Sequence, residues 1–209
     1  MEYKIIQTGS KGNALLLGDE LLVDCGVSFK KLKDEKIRLV LLTHEHKDHF
    51  NAATIRRLGR EHPLMRFGCP PYLVSKVADC GIRYSQIDIY KPERIYAYSD
   101  DLAISTFPLF HDALNVGYKV RIGDEKIFYA ADTSDLAGIE AKGYDWYFIE
   151  ANYEEEELQE RIAEKMKKGD FCYETRVAET HLSKEQAERF VCENRAPHSN
   201  VLFIHRHTE

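Results

Sequence analysis

Short apolar runs alternate with polar turns through the first third of the chain, at the spacing of strands. Lys4–Gln7, Ala14–Leu17, Leu21–Val23 and Ile37–Leu42 read as strands, with Gly18-Asp19-Glu20 turning the chain between the second and third. Helical patterning follows over Asn51 to about Arg60 and over Pro71 to Asp79, the second ended by Gly81. Strands resume at Ile87–Tyr90, Ala103–Phe107, Val116–Ile122 and Lys126–Ala130, the last two joined by a hairpin at Gly123-Asp124. Tyr147–Glu150 is a further strand. The acidic run Glu154 to Glu157 opens a helix reaching about Lys168, with acid at its start and Lys165, Lys167 and Lys168 at its end, as the helix dipole prefers. Ser183 and Gln186 form a capping box for a helix running to about Asn194, and Val201–Ile204 is the last strand. Strands and helices interleave without a repeat or a linker, which predicts an α/β body with all 209 residues in one domain.

Composition narrows the setting. The first residues lack the basic and apolar regions of a signal peptide and no apolar run reaches membrane-spanning length, so the expectation is a cytoplasmic protein without membrane contact. Five scattered cysteines (Cys25, Cys69, Cys80, Cys172, Cys192) contain no Cys-x-x-Cys pair, which predicts reduced thiols rather than a disulfide framework or a thiolate zinc site. A net charge of -6 argues against a surface coated in positive charge for gripping long nucleic acid. Local basic groups remain: Lys30, Lys31, Lys33, Lys36 and Arg38 precede the segment described next, and Arg56, Arg57 and Arg60 follow it on a helix.

The candidate chemistry begins where the strand Ile37–Leu42 ends. Thr43-His44-Glu45-His46-Lys47-Asp48-His49 places four metal-binding side chains within six residues at a strand terminus. His44 and His46, two apart, can converge on one cation, while Asp48 and His49 can turn toward a second. Three later residues also follow apolar strands: His111, Asp132 and His205. A rigid sheet edge fixes coordination geometry better than a mobile loop does.

In this order the set resembles the metallo-β-lactamase superfamily, with its His-x-His-x-Asp-His run, later His, Asp after a strand and terminal His. The resemblance spans nearly the whole chain and implies an αββα sandwich. It implies that His44, His46 and His111 hold one divalent ion, that Asp48, His49 and His205 hold a second, and that Asp132 bridges the two. It also implies that Asp24 orients the His loop. Zinc is the first expectation because imidazoles dominate, and manganese the alternative because two carboxylates take part. The interval from Asp132 to His205 is too short for the inserted module of β-CASP nucleases, and the chain has no space for the added helical domain of glyoxalase II.

Glu150, ending a strand, and His181, in Thr180-His181-Leu182-Ser183 before a helix, are similar to a pair found in tRNase Z and in WalJ-type exonucleases. The likeness implies a proton donor to the leaving oxygen. A His at a helix N-terminus is biased toward neutrality, and a carboxylate partner restores its acid form. Thr8-Gly9-Ser10-Lys11-Gly12-Asn13 and His111-Asp112-Ala113 resemble segments of the same exonucleases. Two departures from that pattern matter: Tyr153 stands where His is expected, and Arg206-His207 follows His205 where an apolar residue and Ser are expected, so that His207 could compete as a ligand.

The expectation is a two-metal phosphodiesterase acting on nucleic acid, DNA ends first, in which a metal-bridged hydroxide attacks phosphorus and Glu150 with His181 supplies the proton. A cyclic-nucleotide phosphodiesterase is the alternative. A non-enzymatic metal-binding scaffold is disfavoured by the complete ligand set, and a homodimer is compatible with everything above.

Overall fold

A computed structural model describes residues 1–205. The first sheet runs β1 (Tyr3–Gln7), β2 (Ala14–Leu17), β3 (Leu21–Val23), β4 (Leu39–Leu41), β5 (Arg66–Cys69) and β6 (Ile87–Ile89) in sequence order. Its first three strands pair antiparallel and the rest parallel. Helices α1 (Ala52–Glu61) and α2 (Val74–Asp79) make the crossovers from β4 to β5 and from β5 to β6.

The second sheet is built from β7 (Ile95–Ala97), β8 (Leu102–Leu109), β9 (Asn115–Ile122), β10 (Glu125–Ala130), β11 (Trp146–Glu150) and β12 (Asn200–Ile204). Its order is β12-β11-β10-β9-β8-β7: a meander through β10, then parallel β10, β11 and β12. Between β11 and β12 lie α3 (Glu155–Lys168), α4 (Glu174–Thr180) and α5 (Lys184–Asn194).

Strand alternation sorts the side chains into layers. Leu15, Leu17, Leu21, Val23, Leu39 and Leu41 meet Ile104, Val116, Tyr118, Ile127, Tyr129 and Phe148 in a core between the sheets. The alternate residues Leu16, Leu22 and Val40 pack against Ile55 and Leu58 of α1 and Val77 of α2. On the far side, Phe128, Ala130, Tyr147 and Ile149 meet Ala187, Phe190 and Val191 of α5. Because both faces of the central strands are covered, their runs are apolar without a break. The order helix, sheet, sheet, helix is the expected αββα sandwich.

Local signals place several elements well. Ser183 and Gln186 form the reciprocal capping box, and α3 carries acid in its first turn and lysine in its last. The expected helix from Pro71 is instead a 3-10 turn over Pro71–Leu73 leading into α2, and the strand expected over Ile37–Leu42 is shortened to β4. Strands β5 and β7 and helix α4 were not expected: each is short, and none has a clean period of 2 or 3.6. Among the described residues the five cysteines are unpaired, and no helix is long and apolar enough to cross a membrane.

Candidate metal centre

Parallel strands end at a common edge, and in open α/β sheets that edge is where ligand sites form. Asp24 follows β3, Thr43 to His49 follow β4, Asp132 follows β10, Glu150 closes β11 and His205 follows β12. Asp24, Asp132 and His205 all adopt left-handed backbone, with φ of 61°, 56° and 52°. That conformation costs a non-glycine residue roughly 1–2 kcal/mol. Three such residues on one edge turn the chain sharply out of its strands and aim side chains across it; the packed sheets hold them there.

Asp24 is fully buried and ties the His loop together. Its Oδ1 accepts from Thr43 N at 3.0 Å and Thr43 Oγ1 at 2.8 Å; its Oδ2 accepts from Tyr129 OH at 3.0 Å and lies 2.7 Å from His49 Nδ1. With Nδ1 so engaged, His49 turns Nε2 toward Asp132 Oδ2, 3.1 Å away. Gly26 lets the loop come this close, since a Cβ there would sit 1.7 Å from Asp48 O. Asn13 closes the other side: its amide donates to Asp48 O at 3.2 Å and lies 2.8 Å from His49 Nε2.

All seven residues expected as ligands converge. Donor atoms of His44, His46, His111 and Asp132 lie within 4.8 Å of one another, as do those of Asp48, His49, Asp132 and His205, so Asp132 belongs to both groups. His111 Nδ1 donates to Thr180 O at 2.9 Å, which presents Nε2 to His46 Nδ1 at 3.2 Å. Among the described residues, buried His44 Nε2 and His205 Nε2 make no hydrogen bond, while His44 Nε2 is 3.3 Å from Asp132 Oδ2 and Asp132 Oδ1 is 2.8 Å from His205 Nδ1. Buried polar atoms seldom lack a hydrogen bond. Lone pairs of imidazole and carboxylate, facing one another, fit divalent cations.

The electrostatics agree. Burial disfavours the Asp132 anion, yet the imidazoles of His49 and His205 hold its pKa well below the usual carboxylate range. Burial and the nearby His49 lower His44 to about 4, so it is a neutral donor near pH 7. Burial also opposes charge on His49, but Asp132 and Asp24 raise it to about 10. For His49 to serve as a metal ligand, a cation would have to displace that proton.

Glu150 is fully buried, not a surface carboxylate. Its Oε2 accepts from Thr133 N at 2.9 Å, and its Oε1 lies 2.5 Å from His181 Nδ1 and 3.0 Å from His205 Nδ1. His181 stands differently from expectation. It is the C-cap of α4, its N–H donating to Val177 O, with α5 starting only after Ser183. A helix C-terminus favours the cationic imidazole, so the dipole of α4 acts in the same sense as Glu150. Burial lowers the His181 pKa, but Glu150 outweighs it and the value lies above the ordinary imidazole range.

The centre opens into a cleft of about 290 Å³ lined by five of the seven residues together with His181 and Asn152. Asp112, from the resembling segment His111-Asp112-Ala113, stands in its wall, and sequence reasoning missed Tyr173, Arg176 and Val177 of α4. Ser10 brings the Gly-Ser loop to the same wall, and Thr8 Oγ1 accepts from His205 N at 2.7 Å. Tyr153 does not line this cleft; it bridges in parallel to Ser183. His207 lies outside the described residues. Much of the basic charge near the His loop is neutralised locally: Arg57 pairs with Glu61 and covers the Phe29 ring, and Arg38 pairs with Glu20.

A family model described as "Beta-lactamase superfamily domain" matches residues 20–206. The chain is similar to Exodeoxyribonuclease WalJ of Streptococcus pneumoniae, 29% identical over 185 residues, covering 76% of this chain and 65% of the relative. The chain thus spans less than two thirds of that relative's length. Its fold is similar to that of human tRNase Z, short form, with a TM-score of 0.74 and 16% identity, covering 99% of this chain and 92% of the other. It is also similar to the metallo-beta-lactamase fold protein YhfI from Bacillus subtilis, with a TM-score of 0.70 and 18% identity, covering 99% and 86%.

Proposed function

Because the chain belongs to the β-lactamase superfamily by a match over most of its length, we propose that it is a two-metal phosphodiesterase that cleaves nucleic acid, with DNA ends as its substrate. The observation that carries this reading is the Glu150–His181 pair, which clusters with Asp132 and His205 and presents His181 to the cleft that the candidate ligands line. Thioester hydrolysis, which expels a stable thiolate, has no need of such a pair, whereas a nucleoside alkoxide is a poor leaving group and requires a proton. The name of the Streptococcus relative is in keeping with a DNA substrate.

In this reading His44, His46 and His111 hold one ion, Asp48, His49 and His205 the other, and Asp132 both. Zinc suits the imidazole-rich set and manganese is the alternative. When bound, two such ions supply Lewis acidity and an activated water at neutral pH. Asp132 contributes a carboxylate that stays ionised. Asp24 fixes the His49 ring by its Nδ1 and the His loop by Thr43. Glu150 holds a proton on His181 Nδ1, and the imidazolium gives up its Nε2 proton to the leaving oxygen. The unpaired cysteines suit a reducing cytoplasm.

A substrate panel tests the reading: end-labelled single- and double-stranded DNA, RNA, cyclic mono- and dinucleotides, and bis-(p-nitrophenyl) phosphate. DNA shortened from its ends is expected to be the best natural substrate. A second reading, cyclic-nucleotide hydrolysis, is favoured by the small cleft and the net charge of -6; turnover of cyclic nucleotides without DNA cleavage would establish it instead.

A further inference from the structure

Helix α4 walls one side of the cleft, and two of its side chains bear on what the cleft holds. Tyr173, at its N-cap, and Arg176 stand three residues apart, the helical spacing that puts side chains on one face, and both line the cleft. Arg176 reaches across to Asp112, its Nε donating to Oδ2 at 3.0 Å and its Nη2 approaching the same oxygen. The other oxygen, Asp112 Oδ1, is 3.1 Å from His111 Nε2 and 3.4 Å from His46 Nε2. The guanidinium is therefore held one carboxylate away from a candidate metal-ligand group.

Arg176 is not buried into this pairing. Its side chain is 71% exposed, and an exposed ion pair is a weak tether. Both of its contacts go to one carboxylate oxygen, so much of the donor fork remains for a second acceptor. A phosphate, with more oxygens and more charge than a carboxylate, suits that fork better. Beside it, Tyr173 carries the Lys165 ammonium 4.4 Å over its ring and is itself 42% exposed. An exposed aromatic ring beside a cationic group supplies the elements of single-strand binding: a flat surface for a base and a charge for its phosphate. The cleft volume of about 290 Å³ is at the lower limit of small-molecule sites, the scale of one nucleotide rather than a duplex.

We infer that Arg176 and Tyr173 form a subsite for the nucleotide adjoining the scissile phosphate, Arg176 exchanging Asp112 for the neighbouring phosphate and Tyr173 stacking on the base. This rests on the phosphodiesterase reading for the identity of the scissile group. The substrate class it names is a frayed or single-stranded end presented one nucleotide at a time.

The test is calorimetric titration of the metal-loaded protein with thymidine 3′,5′-bisphosphate and with the 3′- and 5′-monophosphates. The bisphosphate offers one phosphate to the centre and one to Arg176, so the subsite predicts that it binds about tenfold or more tighter than either monophosphate. Arg176→Ala should collapse that ratio toward one, and Arg176→Lys should keep part of it. Tyr173→Leu should weaken all three thymidine ligands by about tenfold relative to the corresponding ribose phosphates. A structural role for Arg176 would weaken every ligand together and leave the ratio intact. That outcome, or a wild-type protein with no preference for the bisphosphate, overturns the subsite. Bis-(p-nitrophenyl) phosphate turnover by the same wild-type sample reports separately on the phosphodiesterase reading, because its absence would leave the binding ratios standing.

Discussion

Glu150 Oε1 lies 2.5 Å from the Nδ1 of His181, and His181 lines the cleft beside five of the candidate metal ligands. The same oxygen is 3.0 Å from His205 Nδ1, so one buried carboxylate serves the proposed acid and a proposed ligand at once. Removing either imidazole changes what Glu150 does for the other.

His181→Ala should therefore slow cleavage of a dinucleotide by about 100- to 10,000-fold, the range of a positioned general acid. Bis-(p-nitrophenyl) phosphate, whose leaving group needs little protonation, should lose far less, with metal content unchanged. Equal losses on both substrates, or a missing ion, would make His181 a ligand or a structural residue.

The acid also sets a pH dependence. His181 is raised above the ordinary imidazole value, so its protonated form, and the stability gained by pairing with Glu150, is fully present below that ordinary value and is lost as pH rises through the raised one. Dinucleotide turnover should accordingly fall on the alkaline side. In Glu150→Gln, which keeps the shape but not the charge, that fall should move to lower pH. A pH-rate profile unchanged by the substitution would remove Glu150 from the acid.

Asp24→Asn tests the support of the His loop. Asn tolerates the left-handed backbone but cannot accept from all four donors or hold the His49 proton as a carboxylate does. Metal affinity should drop by about 10- to 100-fold, as is usual when the outer partner of a ligand is lost. Competition against a chromophoric chelator reads this directly; full affinity in the variant would show that Asp24 serves the fold alone.

Asp132 belongs to none of the three hydrophobic layers, and its carboxylate faces five imidazoles. Asp132→Ala should lower turnover by about a thousandfold or more, from the loss of several kcal/mol of charge stabilisation. Circular dichroism should be near that of the parent. Retained turnover would mean that the shared position is wrongly assigned.

The seven candidate ligands were legible because each directly follows a strand whose apolar run is strong enough to read alone; the local signal and the global placement coincide. Asp24 was legible only through the resemblance, which implies an early Asp; it too follows a strand, Leu21–Val23. Arg176 and Tyr173, and their approach to Asp112, were not. They meet only because α4 folds over the mouth of the cleft, and a seven-residue helix with no side-chain cap, Glu174–Thr180, leaves little trace in the sequence. The same helix explains the error about His181, which looked like the start of α5 and is the end of α4. Strand β5, Arg66–Cys69, escaped because Gly68 interrupts its apolar pattern; a Cβ there would strike the Tyr90 ring at 2.3 Å, so packing and not strand propensity chose that residue.

Everything proposed for the reaction depends on two ions acting together in the paired ligand groups around Asp132. The direct measurement is turnover of bis-(p-nitrophenyl) phosphate by metal-stripped protein as zinc, or in a parallel series manganese, is added in known equivalents, with bound metal determined by elemental analysis at each step. Activity that climbs until two ions are bound per chain is the predicted result. Full activity reached with a single ion bound, and no further gain on adding the second, would contradict it.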